Sequence, residues 1–132
     1  MKVNNIRSIL SNKFHEAQAI MNKKEKVLNI VSQGIKATAS TPWAKKYKKD
    51  IELMGMIIAD YIKKDYHYLN QSTIVIAISA LLYIISPINK ITDKIPFLRD
   101  IDNIAVITFA LHAISEELRT YKLWLNTKNL RK

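Results

Sequence analysis

An uncharged run from Tyr66 to Asn89 constrains the fold of this chain more than any other feature. Its centre reads TIVIAISALLYIISPIN, in a protein that carries 21 Lys and Arg and 11 Asp and Glu. Apolar side chains at this density must be covered by protein or by lipid. Because a proline removes a backbone donor and clashes with the preceding turn, the pattern predicts a helix that ends at Pro87.

Apolar residues elsewhere recur at the three- and four-residue steps of amphipathic helices. One series lies within residues 1–40, where a gap near Asn22 allows either one helix or a helix pair. Two further series, from Trp43 and from Ile104, predict a second and a fourth helix around the apolar third one. With only two glycines and three prolines, the composition favours long helices over a turn-rich β fold. We predict an all-α single domain over residues 1–132, a bundle of about four helices with a central apolar helical hairpin.

Residues that favour helix starts precede three of these series. Thr41 is a candidate N-cap before a proline at the first helical position. Asn70 or Ser72 can cap the third helix, and Asp100 or Asp102 can cap the fourth.

The segments after the apolar run and near the C terminus carry a recognisable pattern. It runs from Leu82-Tyr83 through Pro87-Ile88 to Asp93, Ile95-Pro96 and Asp102, and EELRTYKLWL follows at residues 116–125. This pattern resembles the YkvA-like family of small bacterial proteins, a domain of unknown function. The resemblance covers about residues 50–126 and implies a helix, a structured turn and a second apolar helix, without implying an activity.

The chain departs from the family pattern at four positions: Asn89 and Asn103 replace aspartates, Thr92 replaces a proline, and Arg99 replaces a glycine. If the family's carboxylates bind metal or transfer protons, Asp93 and Asp102 are too few for a hard-cation site without other ligands. Their simpler roles are to cap a helix or to order a turn. The predicted structured turn comprises Pro87, Asn89, Asp93, Pro96, Asp102 and Asn103.

Sequence motifs for catalysis are missing from this chain. It has no Gly-rich phosphate loop, no nucleophile elbow, no H-E-x-x-H motif and no cysteine. His112 and Glu116 lie one helical turn apart, a spacing that more often reflects an ordinary helix contact than a metal site. We expect no enzymatic activity, no cofactor, no small-molecule substrate and no metal, the weak metal candidates being Asp93, Asp102, His112 and Glu116.

The apolar run allows two locations for the third helix. A spanning helix needs about 20 predominantly apolar residues, and the strongly apolar part, Thr73 to Ile88, is shorter and includes two serines. The uncharged part of the fourth helix, Asn103 to Ser115, is too short to return across a bilayer. The sequence favours a central helix of a bundle over interfacial or re-entrant insertion into a membrane.

Positive charge is concentrated in the first 50 residues, which contain 11 Lys and Arg against 3 Asp and Glu. This excess of 11 − 3 = +8 is most of the net charge of +10 of the whole chain. Within them, WAKKYKK combines lysines and amphipathic aromatics in a manner suited to the headgroups of an anionic bilayer. The predicted membrane or partner surface comprises Trp43, Lys45, Lys46, Tyr47, Lys48 and Lys49. Nucleic acid is less favoured, because only 4 of the 21 basic residues are arginines.

Two functional hypotheses follow from this charge pattern. The first is a non-enzymatic, membrane-associated helical protein whose basic surface faces the cytosolic leaflet. The second is an immunity-type protein-binding module that protects the host membrane by sequestering a toxin or another partner protein. Residues Met1 to Asn12 lack the apolar segment of a signal peptide, so we expect a cytoplasmic location or the cytoplasmic face of the cell membrane.

Overall fold

A computed structural model describes residues 13–67, 69–85 and 96–130 of the 132-residue chain, with backbone alone at residues 43, 96–103, 129 and 130. These ranges contain helices and turns and no β-strand. The elements in chain order are α1 (residues 13–20), α2 (Lys24–Ser40), a 3-10 helix (Pro42–Tyr47), α3 (Lys48–Ile62), α4 (Gln71–Ile85), α5 (Pro96–Ala113) and α6 (Ser115–Leu130).

The all-α prediction is confirmed, but about four helices is too few. The first predicted helix divides into α1 and α2 around Asn22, where the sequence showed a gap. The second begins as a 3-10 helix, and the fourth contains a turn at Ile114, which separates α5 from α6. At that junction the Ile114 N–H still donates to the Ala110 carbonyl at 3.3 Å, and the Leu118 N–H donates to the Ile114 carbonyl at 3.0 Å. Because this ladder persists, α5 and α6 run on as one irregular helix.

Helix α4 lies in the centre of the described structure and is covered by protein. Its buried residues extend around the whole circumference, as expected for a helix without a polar face. The predicted central helix is therefore confirmed for Gln71–Ile85. The predicted hairpin is only partly correct, because α4 packs more extensively against α2 than against α5. The connection between α4 and α5, residues 86–95, lies outside the described residues.

Two glycines allow α2 to approach its neighbours closely. A Cβ at Gly34 would lie 2.8 Å from Leu81 Cδ2 and 3.3 Å from Leu81 Cβ on α4. A Cβ at Gly55 of α3 would lie 3.0 Å from Ile35 Cδ1 and 3.1 Å from Val31 Cγ1 on α2. Each contact is shorter than an ordinary van der Waals separation. The close packing of α2 against α3 and α4 therefore depends on both glycines.

Of the predicted helix starts, the one at Asn70 is confirmed and the one at Asp100 or Asp102 is wrong. Asn70 caps α4, since its Oδ1 accepts the Thr73 N–H at 3.1 Å and also lies 2.9 Å from Ser72 Oγ. Thr41 precedes Pro42 as predicted, although its side chain makes no capping bond. The prediction that Asp100 or Asp102 caps the fourth helix is wrong, because α5 begins at Pro96 and both residues lie within it. A proline is well suited to the first helical position, since its φ is already helical and its missing N–H has no partner there.

Helix α3 ends in a Schellman motif. Lys64 has φ 67°, its N–H donates to the Tyr61 carbonyl at 3.1 Å, and the Asp65 N–H donates to the Asp60 carbonyl at 2.9 Å. The Tyr66 N–H also donates to the Asp60 carbonyl, at 3.2 Å. This turn places Tyr66 in the core.

Candidate functional site

Four exposed lysines surround the junction between the 3-10 helix and α3. We call Lys45, Lys46, Lys48 and Lys49 the lysine surface. Between them, Tyr47 is half-buried, and Lys46 Nζ lies 5.8 Å from the centroid of its ring, within cation–π range. The segment is held to the core by Ala44, which is fully buried and whose N–H donates to the Thr41 carbonyl at 3.0 Å.

Two residues of the lysine surface, Lys48 and Lys49, lie at the electrostatically unfavourable end of α3. A helix N-terminus carries a partial positive charge, so cations there are destabilising by a few tenths of a kcal/mol each, roughly up to 1 kcal/mol at low ionic strength. Lys48 and Lys49 occupy the first turn of α3, whose one acidic residue is Asp50. Four neighbouring lysines also repel one another. An anionic surface would relieve both effects at once.

A cleft of about 450 Å³ adjoins this surface, between the start of α3 and the α5–α6 helix. One wall carries residues spaced by three, and the other carries residues on a single face of the irregular helix. The lining residues are Tyr47, Asp50, Leu53, Thr108, Leu111, His112, Ser115, Leu118, Arg119 and Lys122.

Polar and apolar groups both line the cleft. Leu53, Leu111 and Leu118 provide the apolar part, while Arg119 and Lys122 provide two fixed positive charges. Arg119 also pairs with Glu116 at 3.5 Å, but both side chains are highly exposed, at 74% and 83%. An ion pair this exposed contributes little, so the Arg119 guanidinium remains available to an anionic ligand.

A separate aromatic cluster joins α6 to α3. The Tyr66 ring lies 5.1 Å from the Tyr121 ring and 4.9 Å from the Trp124 ring. The Tyr121 hydroxyl donates a hydrogen bond to Asp60 Oδ2. Burial, together with this hydrogen bond, raises the pKa of Tyr121 well above its ordinary value, so its hydroxyl stays protonated. These residues stabilise the fold and do not line the cleft.

The residues singled out from the sequence do not form one site. Pro87, Asn89 and Asp93 lie outside the described residues, and the backbones of Pro96, Asp102 and Asn103 are part of α5. At Trp43 the structure describes the backbone alone. These assignments stay predictions.

Among the weak metal candidates, His112 lines the cleft and Glu116 does not. Within the described ranges, no group of three or more His, Asp or Glu residues could hold a metal ion. Sequence reasoning missed Arg119 and Lys122. The spacing of His112, Ser115, Arg119 and Lys122 is a helical stripe that the sequence contains, but only the fold shows what it faces.

Comparisons with known proteins place this chain in a family. Residues 73–109, which include nearly all of α4 and most of α5, match the family model described as a protein of unknown function, DUF1232. The chain is also 30% identical over 102 residues to the uncharacterized membrane protein YkvA of Bacillus subtilis strain 168, which covers 77% of this chain and 96% of that relative. The chain belongs to the YkvA-like family. No solved structure gives a significant match to this YkvA-like chain.

The YkvA relative is described as a membrane protein, so the length and apolar character of the helices in this chain are of interest. Across residues 13–67, 69–85 and 96–130, none of the helices has the combination of length and apolar character that a membrane span requires.

Proposed function

We propose that this YkvA-like protein is a non-enzymatic protein that binds the cytosolic surface of anionic membranes through its lysine surface. The observation that carries the proposal is the position of that surface. Its four exposed lysines lie within five consecutive residues and repel one another, and two of them, Lys48 and Lys49, lie in the first turn of α3, where the helix dipole disfavours them. Acidic headgroups would neutralise this charge, and Tyr47 between the lysines suits the interfacial region.

The burial of α4 supports binding at the surface over insertion of this helix. Its apolar side chains already pack against α2, α3 and α5. Moving α4 into lipid would separate it from these partners and would gain little, because lipid chains are no more apolar than the leucines and isoleucines it now contacts. The lysine surface needs no such rearrangement.

The expected strength follows from the number of lysines. Each basic residue near an anionic leaflet contributes about 1 kcal/mol, so four contribute roughly 4 kcal/mol. This attraction is screened over a Debye length of about 10 Å at 0.1 M salt. Binding should therefore be strong at low salt and should weaken steeply as the salt concentration rises.

Vesicle flotation with a charge-matched control tests the proposal. In the test variant, Lys45, Lys46, Lys48 and Lys49 are each replaced by Gln. In the control, four exposed lysines in and beside α2, Lys23, Lys24, Lys26 and Lys36, are replaced by Gln, which lowers the net charge equally.

On phosphatidylcholine vesicles containing phosphatidylserine, we expect the test variant to bind roughly 100- to 1,000-fold more weakly than the unaltered protein. The control variant should lose much less affinity. Equal losses in the two variants would show that net charge alone drives binding, and no binding by the unaltered protein at low salt would refute the proposal.

A protein-binding module of the immunity type is the alternative, and an acidic partner protein would suit the same lysines. It stays a prediction. Purification of the untagged protein from its own cells at low salt separates the two proposals. The protein-binding proposal would replace the membrane proposal if two results were found together. A stoichiometric acidic partner would co-purify with the unaltered protein and not with the test variant, and the unaltered protein would not bind vesicles.

A further inference from the structure

The cleft beside the lysine surface has a different chemistry from that surface. Diffuse attraction between lysines and a charged leaflet needs no concave site. The cleft, by contrast, combines a concave apolar lining with two positive charges from α6 and with the hydroxyl groups of Tyr47, Thr108 and Ser115. A few polar groups in a mostly apolar pocket are the usual features of a small-molecule site, and its volume lies within the range of such sites.

We propose that the cleft binds one acidic phospholipid molecule, with the headgroup phosphodiester at Arg119 and Lys122 and an apolar segment of the lipid along Leu53, Leu111 and Leu118. This inference rests on the proposed function and deepens it, because it names the ligand class that the protein recognises at the membrane. The volume of about 450 Å³ admits a headgroup and the first part of its acyl chains, and the rest of the lipid stays in the bilayer.

Charge complementarity favours a phosphodiester. Arg119 offers a planar fork of donors that matches two phosphate oxygens, and Lys122, three residues later on the same helix face, adds a point charge. The Ser115 hydroxyl, one turn before Arg119, is a further donor. Asp50 is the one carboxylate in the described lining and reduces its fixed charge to a single positive unit. That charge matches the single negative charge of a phosphodiester better than the double charge of a free phosphate.

The position of the cleft explains how a lipid would reach it. Tyr47 lines the cleft and is also the last residue of the 3-10 helix, between Lys46 and Lys48 of the lysine surface. Binding of the lysine surface to a leaflet would therefore bring the adjoining cleft wall close to the headgroups. The apolar lining then removes acyl methylenes from water, which contributes about 0.8 kcal/mol for each CH₂ buried.

Titration with short-chain lipids below their micelle concentration tests this inference in the absence of a membrane. The probes are dihexanoyl-phosphatidylglycerol, dibutanoyl-phosphatidylglycerol, dihexanoyl-phosphatidylcholine and glycerol 3-phosphate, and binding is followed by amide NMR shifts of the full chain. The test variant carries Arg119→Gln and Lys122→Gln. The control carries Lys24→Gln and Lys36→Gln, which removes the same charge from the exposed face of α2.

We expect dihexanoyl-phosphatidylglycerol to shift the amides of the cleft residues and the test variant to bind it at least tenfold more weakly, with the control unchanged. The dibutanoyl lipid should bind roughly tenfold more weakly, because two fewer CH₂ groups of one chain are buried. Since Arg119 and Lys122 are exposed, the variant should remain folded, which a thermal unfolding curve checks.

Three results would overturn the inference. Equal binding of glycerol 3-phosphate would make the cleft a site for free phosphate esters, and equal binding of phosphatidylcholine would remove the preference for an acidic lipid. No shifts at the cleft would refute lipid binding there. Vesicle flotation separates this failure from failure of the proposed function. If the Lys45, Lys46, Lys48 and Lys49 variant still loses vesicle binding, the proposed function stands without the cleft.

Discussion

Tyr121 lies in the C-terminal segment EELRTYKLWL that resembles the family pattern, and its contacts in this chain are structural. Its ring is fully buried and stacks against Trp124 at 5.8 Å, while its hydroxyl donates to the Asp60 carboxylate on α3. The Asp60 carbonyl also accepts two N–H groups from the turn after α3. Tyr121 thus links the end of α3 to α6 and stabilises the fold.

Replacement of Tyr121 by Phe removes this hydrogen bond and retains the ring. A hydrogen bond to a charged group contributes about 1.5–3 kcal/mol when buried, and because Asp60 is half-buried we expect a loss of about 1–2 kcal/mol. Urea denaturation measures this loss. Tyr61→Phe is the control, since Tyr61 is half-buried on the same helix as Asp60 and its hydroxyl makes no hydrogen bond with a described residue. Similar losses in the two variants would contradict the assigned role.

The pH dependence of stability gives an independent readout of the buried Tyr121 hydroxyl, whose pKa is raised first by burial and then by the hydrogen bond to Asp60. Because the pKa of Tyr121 is raised in the folded state, folding retains a proton that the unfolded chain releases above pH of about 10. The stabilising contribution is therefore complete below that pH and declines as the pH rises further. The decline should be shallower in Tyr121→Phe, and identical alkaline profiles for the two proteins would contradict this assignment.

Lys64 is a non-glycine residue in the left-handed region, at the position where a Schellman motif usually has glycine. The left-handed conformation costs about 1–2 kcal/mol for a residue with a Cβ, and glycine avoids that cost but loses more entropy on folding. We expect Lys64→Gly to stabilise the protein by about 0.5–1 kcal/mol in thermal unfolding. Lys63→Gly should destabilise it, because Lys63 has φ −79°. A loss of stability in Lys64→Gly would be the contrary result.

At the scale of the elements, apolar runs and capping residues in the sequence predicted the helices that depend on local interactions. The uncharged run and the Asn70 cap define α4, which the structure describes from Gln71 to Ile85. At the fourth helix the predicted caps, Asp100 and Asp102, lie within α5, which begins at Pro96, a residue that suits the first helical position. The cleft was beyond prediction, since residues near Tyr47 and near Arg119 meet only through packing of α3 against α6.

Gly34→Ala tests the close packing of α2 against α4. Alanine improves helix propensity by about 1 kcal/mol, but its Cβ would overlap the fully buried Leu81, and overpacking costs about 1–3 kcal/mol. We expect a net loss of up to about 2 kcal/mol, measured by urea denaturation. Ser32→Ala, at an exposed position of α2, should show the gain in propensity without the overlap. A stabilised Gly34→Ala protein would mean that α4 moves aside at little cost.

At the scale of the whole molecule, charge and apolar surface are separated. The uncharged helix α4 is enclosed by its neighbours, whereas the lysine surface is exposed, and most of the net charge of +10 falls within the first 50 residues. The sequence predicted both features because composition alone shows them. The WAKKYKK segment also singled out Lys45, Lys46, Lys48 and Lys49. Their exposure and their position at a helix end could not be predicted, since both depend on how the 3-10 helix joins α3.

Fractionation of the cells that make this protein tests the molecule as a whole. We expect the untagged protein in the membrane pellet at low salt and its release by a high-salt wash, because screening weakens exposed electrostatic contacts while α4 stays enclosed in protein. The variant with Gln at Lys45, Lys46, Lys48 and Lys49 should already be found in the supernatant. Release by detergent alone would instead mean that apolar surface enters the bilayer, and α4 would then have to exchange its contacts with α2 for lipid.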